Sequence, residues 1–524
     1  MSAQPGTDGS ETTPLLPKAA PEPRPGGIFS PLNRLFLVTL LLSTSFMCTS
    51  TTLIYAFRMI LCDEYWGRGL GHGGSETIDR CAIRDIDAWS AREVSYMVTL
   101  TTISGTLNLF STGYLTRTFG VRFSMFFQTF WPSIRVLCQL WGIVNGTITG
   151  VRVMQFTQLL TILGGGAGYI LCANTFAAAL VKPENRTATF GRLQGLQMVG
   201  TGVGLCLGGW IGDRYGLEAP FLLAFVLLAL STVISGLFLP YIPPTTAEEA
   251  AKTTGGGFWT PLRIFAPRKV NKGDKVVRWY GLFLIGVGSF VSTFATSTIQ
   301  ILLQLISTAA FGFTPSSNGT LMAVAALSRG AFLTFLFPVV INRGREWYSS
   351  ANTASPPAIG QLPDSFAEIE PIQPLLQTDP VQEPPPPPPP TDQEHGSAFD
   401  LAFLRGSILV DAVLTGCIGF SRAGWHLYIA ALVIPLASGT APASKGVVME
   451  MVSKAEQADA LQGIALIETL AMTLTVSVFG VIFAHLSEAG RPFDVFFINA
   501  AMAVVAGVIL QFARFAPKPR VAVA

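Results

Sequence analysis

Residues 219–240 read APFLLAFVLLALSTVISGLFLP, an apolar run without one charged side chain. A helix needs about 20 apolar residues to cross the hydrocarbon core of a bilayer, so this run predicts a membrane span. The residues that follow, 241–278, are hydrophilic and basic. They separate this run from apolar residues that resume near position 280, and they therefore predict a linker outside the membrane.

Similar apolar stretches lie on both sides of this linker, six before it and six after it when 219–240 is included. They are predicted at 35–55, 94–116, 123–144, 151–181, 193–211, 219–240, 280–306, 319–341, 403–421, 426–447, 461–485 and 494–513. A helix satisfies its own backbone hydrogen bonds inside lipid. The sequence thus predicts an all-α polytopic membrane protein, with twelve transmembrane helices in two six-helix bundles. We number them spans 1 to 12.

The composition agrees with this class. Half of the residues are hydrophobic and 13% are charged, which is about half the charged share of soluble domains. The net charge is +2, and the basic residues follow membrane topology instead of forming a stripe for nucleic acid. Most Lys and Arg residues fall on the side of the linker and of both termini, which predicts that both termini are cytosolic.

The hydrophilic segments divide the chain. The predicted parts are a disordered cytosolic N-tail (1–33), an N-terminal bundle (34–240), the cytosolic linker (241–278), a C-terminal bundle (279–341 and 403–513), a disordered Pro-rich cytosolic insertion (342–402) and a basic C-tail (514–524). Within the insertion, Glu383 precedes seven prolines, which favour a polyproline II rod. The insertion is either a ligand for an SH3- or WW-type domain or a disordered spacer.

Two patterns lie on predicted outer loops. Cys62 and Cys81 face the exterior or a lumen in this topology, and they form either a disulfide or two free thiols. Asn145 and Asn318 each begin an Asn-Gly-Thr sequon, and are therefore candidate glycosylation sites.

The N-tail contains a candidate sorting signal. Residues 11–16 read ETTPLL, and Glu11 with Leu15 and Leu16 resembles an acidic dileucine signal. Adaptor proteins that read such signals direct cargo to vacuoles or lysosomes. The expected location is a vacuolar or lysosomal membrane, or the plasma membrane.

Glycine-rich motifs carry a family resemblance. Residues 113–122 read GYLTRTFGVR, similar to the pattern G-x-L-a-D-r-x-G-r-k, and residues 200–209 read GTGVGLCLGG, similar to g-x-x-x-G-P-x-x-G-G. Residues 152–156 read RVMQF, similar to R-x-x-Q-G. Three positions depart from these patterns, namely Arg117, Leu205 and Phe156. Outside the tails and the insertion, the chain resembles the major facilitator superfamily.

The resemblance implies roles for these residues. It implies gating or packing roles for Gly113, Arg117, Gly120, Arg122, Gly200, Gly204, Gly208 and Gly209. Because Arg117 stands at the aspartate position, we expect the usual charge relay to be absent. Residues 183–190 and 164–166 resemble fungal relatives of the proton-coupled folate transporter and of the tetracycline-antiporter-like group. The resemblance also assigns spans 1, 4, 7 and 10 to a cavity, and spans 2, 5, 8 and 11 to the bundle interface.

The presence of an ionisable residue inside a predicted span requires an explanation, since placing such a side chain in the membrane core costs about 2.5–3.5 kcal/mol even on insertion scales. Arg329 and Glu468 are the preferred candidates for substrate binding or proton coupling, and a structural salt bridge is the alternative. Arg135 and Asp411 are expected to stabilise packing. With the polar residues of spans 4 and 7, the candidate substrate and coupling residues are Arg329, Glu468, Arg152, Gln155, Gln158, Gln300 and Gln304.

These observations predict a secondary active transporter that moves a small organic solute by alternating access. The chain has no P-loop pattern for ATP, so an ion or solute gradient would supply the energy. Export or vacuolar sequestration is favoured over import, and proton coupling is left open. The alternative is a membrane receptor or scaffold that recruits cytosolic partners through the insertion. No catalytic residues, metal site or cofactor are expected, and the protein is not expected to be an enzyme.

Overall fold

The computed structural model describes residues 30–67, 81, 84–242, 260–272, 275–313, 315–353 and 393–516. The sorting motif in the N-tail, the proline run of the insertion and the end of the C-tail lie outside these ranges. The described chain is almost entirely helical, as the apolar stretches predict.

The first half forms six spans around its own apolar core. Their helices are Pro31–Gly67, Arg84–Phe119, Val121–Asn145, the interrupted span Ile148–Leu180, Arg186–Tyr215 and Ala219–Phe238. The interruption in span 4 consists of a 3₁₀ turn at Thr157–Ile162 and the glycines that follow it. Span 6 ends in a π-helical turn, Ile234–Phe238.

The second half forms six more spans, three of them interrupted. Span 7 consists of Gly281–Thr296 and Ile299–Phe311, and span 8 of Pro315–Ala331 and Phe337–Thr353, joined by the π turn Phe332–Leu336. Span 9 is Gln393–Ile418. Span 10 consists of Gly424–Val433, the 3₁₀ turn Ile434–Ala437 and Thr440–Met451. A 3₁₀ turn, Lys454–Glu456, precedes span 11 at Gln457–Glu488, and span 12 is Asp494–Gln511.

The helices differ in length and in how apolar they are. By length and composition, 9 helices of the described chain are long and apolar enough to cross a membrane. Spans 2, 3 and 5 are the remaining ones, and they carry more polar and glycine residues. They pack within the first bundle against the apolar spans, so the twelve-helix, all-α architecture predicted from the sequence is confirmed.

The linker contains a structure that the sequence analysis did not predict. A short helix, Thr260–Arg263, is followed by an antiparallel hairpin of β1, Arg268–Lys272, and β2, Lys275–Trp279. Its register pairs Lys272 with Lys275 across the two-residue sequence Gly-Asp, a composition typical of hairpin turns. Trp279 Nε1 donates a hydrogen bond to Arg514 O at 2.8 Å, which ties the hairpin to the end of span 12.

Several helices are longer than the apolar stretches that predicted them. Span 1 continues to Gly67 and span 2 begins at Arg84, so residues 56–67 and 84–93, which hydropathy placed in a loop between the two spans, are helical. The predicted insertion 342–402 is likewise helical at both ends, up to Thr353 and again from Gln393. Backbone hydrogen bonding continues past the last apolar residue wherever polar side chains find partners, so hydropathy underestimates helix length here.

The two bundles meet at one end of the molecule. We call it the linker end: spans 2, 4, 6, 8 and 10 finish there and the following spans begin there. Each half has a separate apolar core, but Met449, Leu461 and Leu466 of the second half pack into the core of the first. Spans 2 and 11, and spans 5 and 8, are in contact between the bundles, in agreement with the assignment that the resemblance implies. Span 10 also packs on span 5, and span 11 on the second half of span 4.

Candidate functional site

The first inter-bundle contact at the linker end is an ion pair between spans 2 and 11. Arg117 Nη2 lies 2.6 Å from Asp459 Oδ1 and donates a hydrogen bond to Gln462 Oε1 at 3.2 Å. Gln462 Nε2 donates in turn to Leu109 O at 3.0 Å. The expectation that Arg117 abolishes the charge relay is therefore wrong, because the carboxylate is supplied by span 11.

Glycines at the end of span 2 make this contact close. A methyl group at Gly113 would collide with the side-chain amide of Gln462. Gly120 has φ 86°, in the left-handed region that favours glycine, and forms the turn into span 3. Arg122 contacts Gly236 O within the first bundle through its Nη2. Of the predicted gating residues, Gly113 and Arg117 thus face the other bundle, whereas Arg122 does not.

The second inter-bundle contact is a buried triad of Thr187, Arg345 and Asp400. Arg345 Nε donates to Asp400 Oδ1 at 2.9 Å, and its Nη2 contacts Asp400 Oδ2 and donates to Thr187 Oγ1 at 3.3 Å. The Thr187 hydroxyl donates to Asp400 Oδ2. Thr187 begins span 5, so the ion pair between spans 8 and 9 holds the first bundle as well. Sequence analysis missed the triad because Arg345 and Asp400 fell in the predicted insertion.

The glycines of span 5 face two different neighbours. The predicted set packs on span 1, since a methyl group at Gly200 would come within 2.8 Å of Leu40 O and one at Gly204 within 2.5 Å of Thr44 O. Gly208 meets the backbone of Cys48 in the same way. A methyl group at Gly209 would meet nothing within 4 Å, so its predicted packing role is not supported.

A second set of span 5 glycines packs on span 8. A methyl group at Gly191 would collide with the Phe337 ring, and one at Gly195 would come within 2.7 Å of the Thr334 backbone nitrogen. These glycines lie at the inter-bundle contact and were not singled out from the sequence. Span 5 therefore binds its own bundle through one glycine face and the opposite bundle through another.

Inside the second bundle, a pocket lies where three spans are interrupted. Gln300 of span 7, Arg329 of span 8 and Asp411 of span 9 line it, together with Ser438 and Thr440 of span 10. Pro435 lies in the 3₁₀ turn of span 10, and its missing N–H prevents a regular helix there. Interrupted helices leave backbone polar groups free at membrane depth, which is typical of transporter binding sites.

The two charged groups of this pocket attract each other. Asp411 is 5% exposed, and neither its Oδ2 nor Arg329 Nε has a hydrogen-bond partner in the described chain. The pocket therefore offers one free acceptor and one free donor beside the amide of Gln300. Asp411 was expected to be a packing residue, but it faces the same pocket as Arg329.

Two other predicted residues of the second bundle lie elsewhere. Glu468 Oε2 is 3.1 Å from Lys445 Nζ, an ion pair between spans 10 and 11 in which both side chains are largely buried. Gln304 is exposed, one turn beyond Gln300, and does not line the pocket. The polar residues predicted for span 7 are thus divided between the pocket and an exposed surface.

The span 4 residues Arg152 and Gln155 join a network with Glu93. Arg152 Nη1 lies 2.7 Å from Glu93 Oε2, and Gln155 Nε2 donates to the same oxygen at 2.7 Å. Trp89 Nε1 donates to Glu93 Oε1 at 3.2 Å. Glu93 is 2% exposed and lies one residue before the apolar stretch that predicted span 2, so hydropathy placed it in a loop.

Gln158 belongs to a different group in the first bundle. Its Oε1 accepts hydrogen bonds from Thr101 Oγ1 at 3.1 Å and from Arg135 Nη1 at 3.5 Å. Gln158 itself lies in the 3₁₀ turn that interrupts span 4. There, Asn108 Oδ1 accepts from Gly168 N and Gln128 Oε1 accepts from Gly165 N, which satisfies donors freed by the break.

The end of the molecule opposite the linker end carries the predicted cysteine and asparagine positions. Cys62 and Cys81 are joined in a disulfide. Asn145 is exposed at the end of span 3. Asn318 is only 6% exposed, accepts a hydrogen bond from Ser307 and donates one to Thr308 Oγ1 at 2.7 Å. A glycan on Asn318 would have to break these bonds, so the structure argues against that site.

Among the described residues, no group of His, Cys, Asp and Glu side chains could hold a metal ion.

Solved structures of transporters share this fold. The human organic anion transporter MFSD10 (TETRAN) superposes with TM-score 0.60 at 14% identity, over 92% of this chain and 98% of that chain. A bacterial homologue of the iron transporter ferroportin gives 0.57 at 12%, over 92% and 98%. The E. coli fucose:proton symporter gives 0.57 at 11%, over 91% and 98%. At these identities the likeness shows the fold alone.

Two curated relatives match parts of the chain. Solute carrier family 22 member 18 of Mus musculus is 28% identical over 144 residues, which are 28% of this chain and 34% of that protein. The protein of the same name from Rattus norvegicus is 26% identical over 239 residues, 40% of this chain and 56% of that protein. This chain therefore spans between about a third and just over half of these relatives' length.

The family model of the Major Facilitator Superfamily matches residues 35–359. This range contains the first bundle, the linker and spans 7 and 8, where both span 5 glycine faces and one side of each inter-bundle contact lie. It covers more than half of the chain, and the protein is therefore a member of the Major Facilitator Superfamily.

Proposed function

We propose that the protein is a secondary active transporter that carries a small organic solute across a membrane by alternating access. The observation that carries the proposal is the pocket of Gln300, Arg329 and Asp411, which lies at helix interruptions and retains free polar atoms. A buried charge at membrane depth needs a functional or structural partner. A polar solute would complete the hydrogen bonding of both charged groups.

The two bundles supply the moving parts of this mechanism. They are joined at the linker end by the Arg117–Asp459 pair and by the Thr187–Arg345–Asp400 triad. Opening that end requires these contacts to break, while the paired charges within each bundle stay together. We therefore propose that the described conformation is closed at the linker end, which we place in the cytosol together with both termini.

The nature of the solute is also part of the proposal. The human neighbour is an organic anion transporter, and the E. coli neighbour is a fucose:proton symporter. Arg329 could bind an acidic group or pair with a sugar hydroxyl. We propose export or vacuolar sequestration, in the fungal branch that the loop 183–190 resembles. The family relationship does not favour the receptor or scaffold alternative.

Proton coupling belongs to the proposal, with Glu468 and Asp411 as candidate carriers. Glu468 is paired with Lys445 of the same bundle, at 3.1 Å. Asp411 lies in the pocket itself. Glu468→Gln and Asp411→Asn should therefore be compared for solute uptake driven by a pH gradient. Gradient-driven uptake that persists undiminished in both variants would refute the coupling.

The transporter proposal is tested by solute flux into proteoliposomes, using a panel of acidic, neutral and basic organic solutes. Gln300→Ala should reduce uptake of the transported solute, because Gln300 lines the pocket. Gln304→Ala, one turn away and exposed, is the matched control and should keep wild-type uptake. A purified protein that moves no member of the panel, or equal losses in both variants, would contradict the proposal.

A further inference from the structure

Arg135 lies inside the first bundle without a carboxylate partner among the described residues. Its Nη1 donates to Thr161 Oγ1 at 2.9 Å and to Gln158 Oε1 at 3.5 Å. Its guanidinium carbon is 5.4 Å from the centroid of the Phe46 ring. All three neighbours are uncharged. They orient the arginine and stabilise it partly, but they do not neutralise it.

Three other cations within the described spans are arranged differently. Arg152 pairs with Glu93, Lys445 pairs with Glu468, and Arg329 shares its pocket with Asp411. Each of these cations thus has an acidic neighbour. Arg135 leaves one positive charge in excess in the interior of the described chain. Removing an ion from water without a counter-ion is strongly unfavourable, so this position favours a negative group from outside the chain.

The geometry of the guanidinium indicates how such a group would bind. An arginine has five N–H donors, and only those on Nη1 have partners here. Arg135 Nε is buried and unpartnered. Both hydrogen bonds of the guanidinium to described residues use Nη1, which leaves Nη2 on the same edge as Nε without one. The Nε–Nη2 edge carries two parallel donors, which match the two oxygens of a carboxylate.

The surrounding side chains hold this edge in place. Gln158 Oε1 also accepts from Thr101, and Gln158 Nε2 donates to Met154 O at 3.1 Å, so the amide is fixed from both ends. Thr161 and Phe46 lie on spans 4 and 1, the helices assigned to the cavity by resemblance. Arg135 of span 3 therefore contacts spans 4 and 1, the two helices that we expect to line the solute cavity.

We propose that Arg135 binds the carboxylate of the transported solute, which makes the substrate an organic anion. This inference rests on the proposed transport function and specifies its substrate class. The role expected from the sequence, packing alone, requires no free donor edge. A carboxylate supplies the missing counter-charge, and a neutral analogue of the same shape does not.

The test compares acids with neutral analogues on the purified full-length protein. The probes are benzoate and salicylate against benzamide and salicylamide, with thermal stabilisation in detergent and flux into proteoliposomes as separate readouts. We expect the wild type to prefer each acid over its amide. Arg135→Gln should lower the apparent affinity for the acids by about tenfold to hundredfold, the effect of losing a charged hydrogen bond, and leave the amides unchanged.

Two further variants keep the test decisive. Arg135→Lys retains the charge without the two-donor edge, so it should fold and recover only part of the acid preference. Arg405→Gln is the matched control, because Arg405 donates to Leu510 O and Ala513 O at the end of span 12, away from this group. It should keep the full preference. Equal preference for acids and amides in the wild type, or an unchanged preference in Arg135→Gln, would overturn the inference.

The two proposals fail in different ways. If the wild type is stabilised by the acids through Arg135 but moves no solute, transport is refuted and the anion site stands. If it moves the acids equally well with and without Arg135, transport stands and the anion site is refuted.

Discussion

Replacing Thr187 by valine should open the linker end. The substitution keeps the β-branched shape but removes the hydroxyl that donates to Asp400 and accepts from Arg345 at 3.3 Å. The Arg345–Asp400 pair within the second bundle remains intact. Only the contact of that pair with the first bundle is lost, so the variant weakens the closed arrangement and leaves each bundle folded.

The size of the effect follows from the charge of the partner. A hydrogen bond to a charged group contributes about 1.5–3 kcal/mol. When the bundles separate, water replaces the hydroxyl as partner of Asp400 in wild type and variant alike, so the loss falls on the closed state. Since about 1.4 kcal/mol corresponds to a factor of ten, the ratio of open to closed molecules should rise about tenfold to hundredfold.

The assay measures the exposure of a buried contact between bundles. Leu461 is 2% exposed and packs into the core of the first bundle, so a cysteine at this position reacts with a maleimide only when the linker end opens. The free cysteines are first replaced by alanine; they are Cys48, Cys138, Cys172, Cys206 and Cys417. The Thr187→Val background should label faster in proportion to its open fraction.

The matched control is Thr189→Val. Thr189 is also largely buried, but its hydroxyl donates to Asn185 O at 2.8 Å within its own helix turn. The same substitution there should leave the labelling rate at its wild-type value. Equal rates for the Thr187 and Thr189 variants would refute the assignment of the triad as a contact that holds the bundles together.

Two further predictions concern other contacts of the structure. Arg117→Asp should weaken the closed arrangement of the linker end by about 1 kcal/mol or less, since the Arg117–Asp459 pair is partly exposed. Adding Asp459→Arg to the same chain should restore the wild-type rate in the labelling assay. A double variant that does not recover would contradict a direct ion pair. Gly204→Leu should destabilise the first bundle by about 1–3 kcal/mol, because the larger side chain overpacks against span 1. Gly209→Leu should leave the midpoint of thermal unfolding unchanged, because Gly209 has open space around it. Equal midpoints for the two variants would contradict this packing.

Hydropathy alone was sufficient for the class, whereas the contacts between spans 2 and 11 and between spans 5 and 8 were expected only from the family resemblance. Apolar stretches have no stable alternative to helices in lipid, so residues such as 219–240 determine their own structure. The glycine pattern at 200–209 was also informative, because three of its glycines pack closely against span 1. These features are local in the sequence, and the physical constraint on them does not depend on distant partners.

The charged contacts could not be predicted in the same way. Glu93, Asp459, Arg345 and Asp400 all lie beyond the ends of the apolar stretches, where a loop and a helix end have the same composition. Their partners are distant in the sequence; Arg117 and Gln462 are 345 residues apart, and Thr187 and Asp400 are 213 apart. Only the fold brings such groups together, so sequence reasoning treated them as solvated.

The helix interruptions also could not be predicted from hydrophobic periodicity. Pro435 and the glycines at 164–166 mark two of them, but the break in span 7 at 297–298 contains neither glycine nor proline. Its position is set by packing within the second bundle. Gln300 and Arg329 were both candidates from the sequence, but Asp411, which lines the same pocket, was assigned to packing because nothing in the sequence places it beside them.

The Arg345–Asp400 ion pair has a practical consequence for protein engineering. It joins the end of span 8 to the start of span 9, the two helices that flank residues 354–392. The pair joins two residues that lie on either side of positions 354–392 in the sequence. A reporter domain inserted between these positions would therefore have its N- and C-termini attached to two helices that are held side by side. Since the same pair holds Thr187, such a reporter would be attached directly beside the contact that separates when the bundles move.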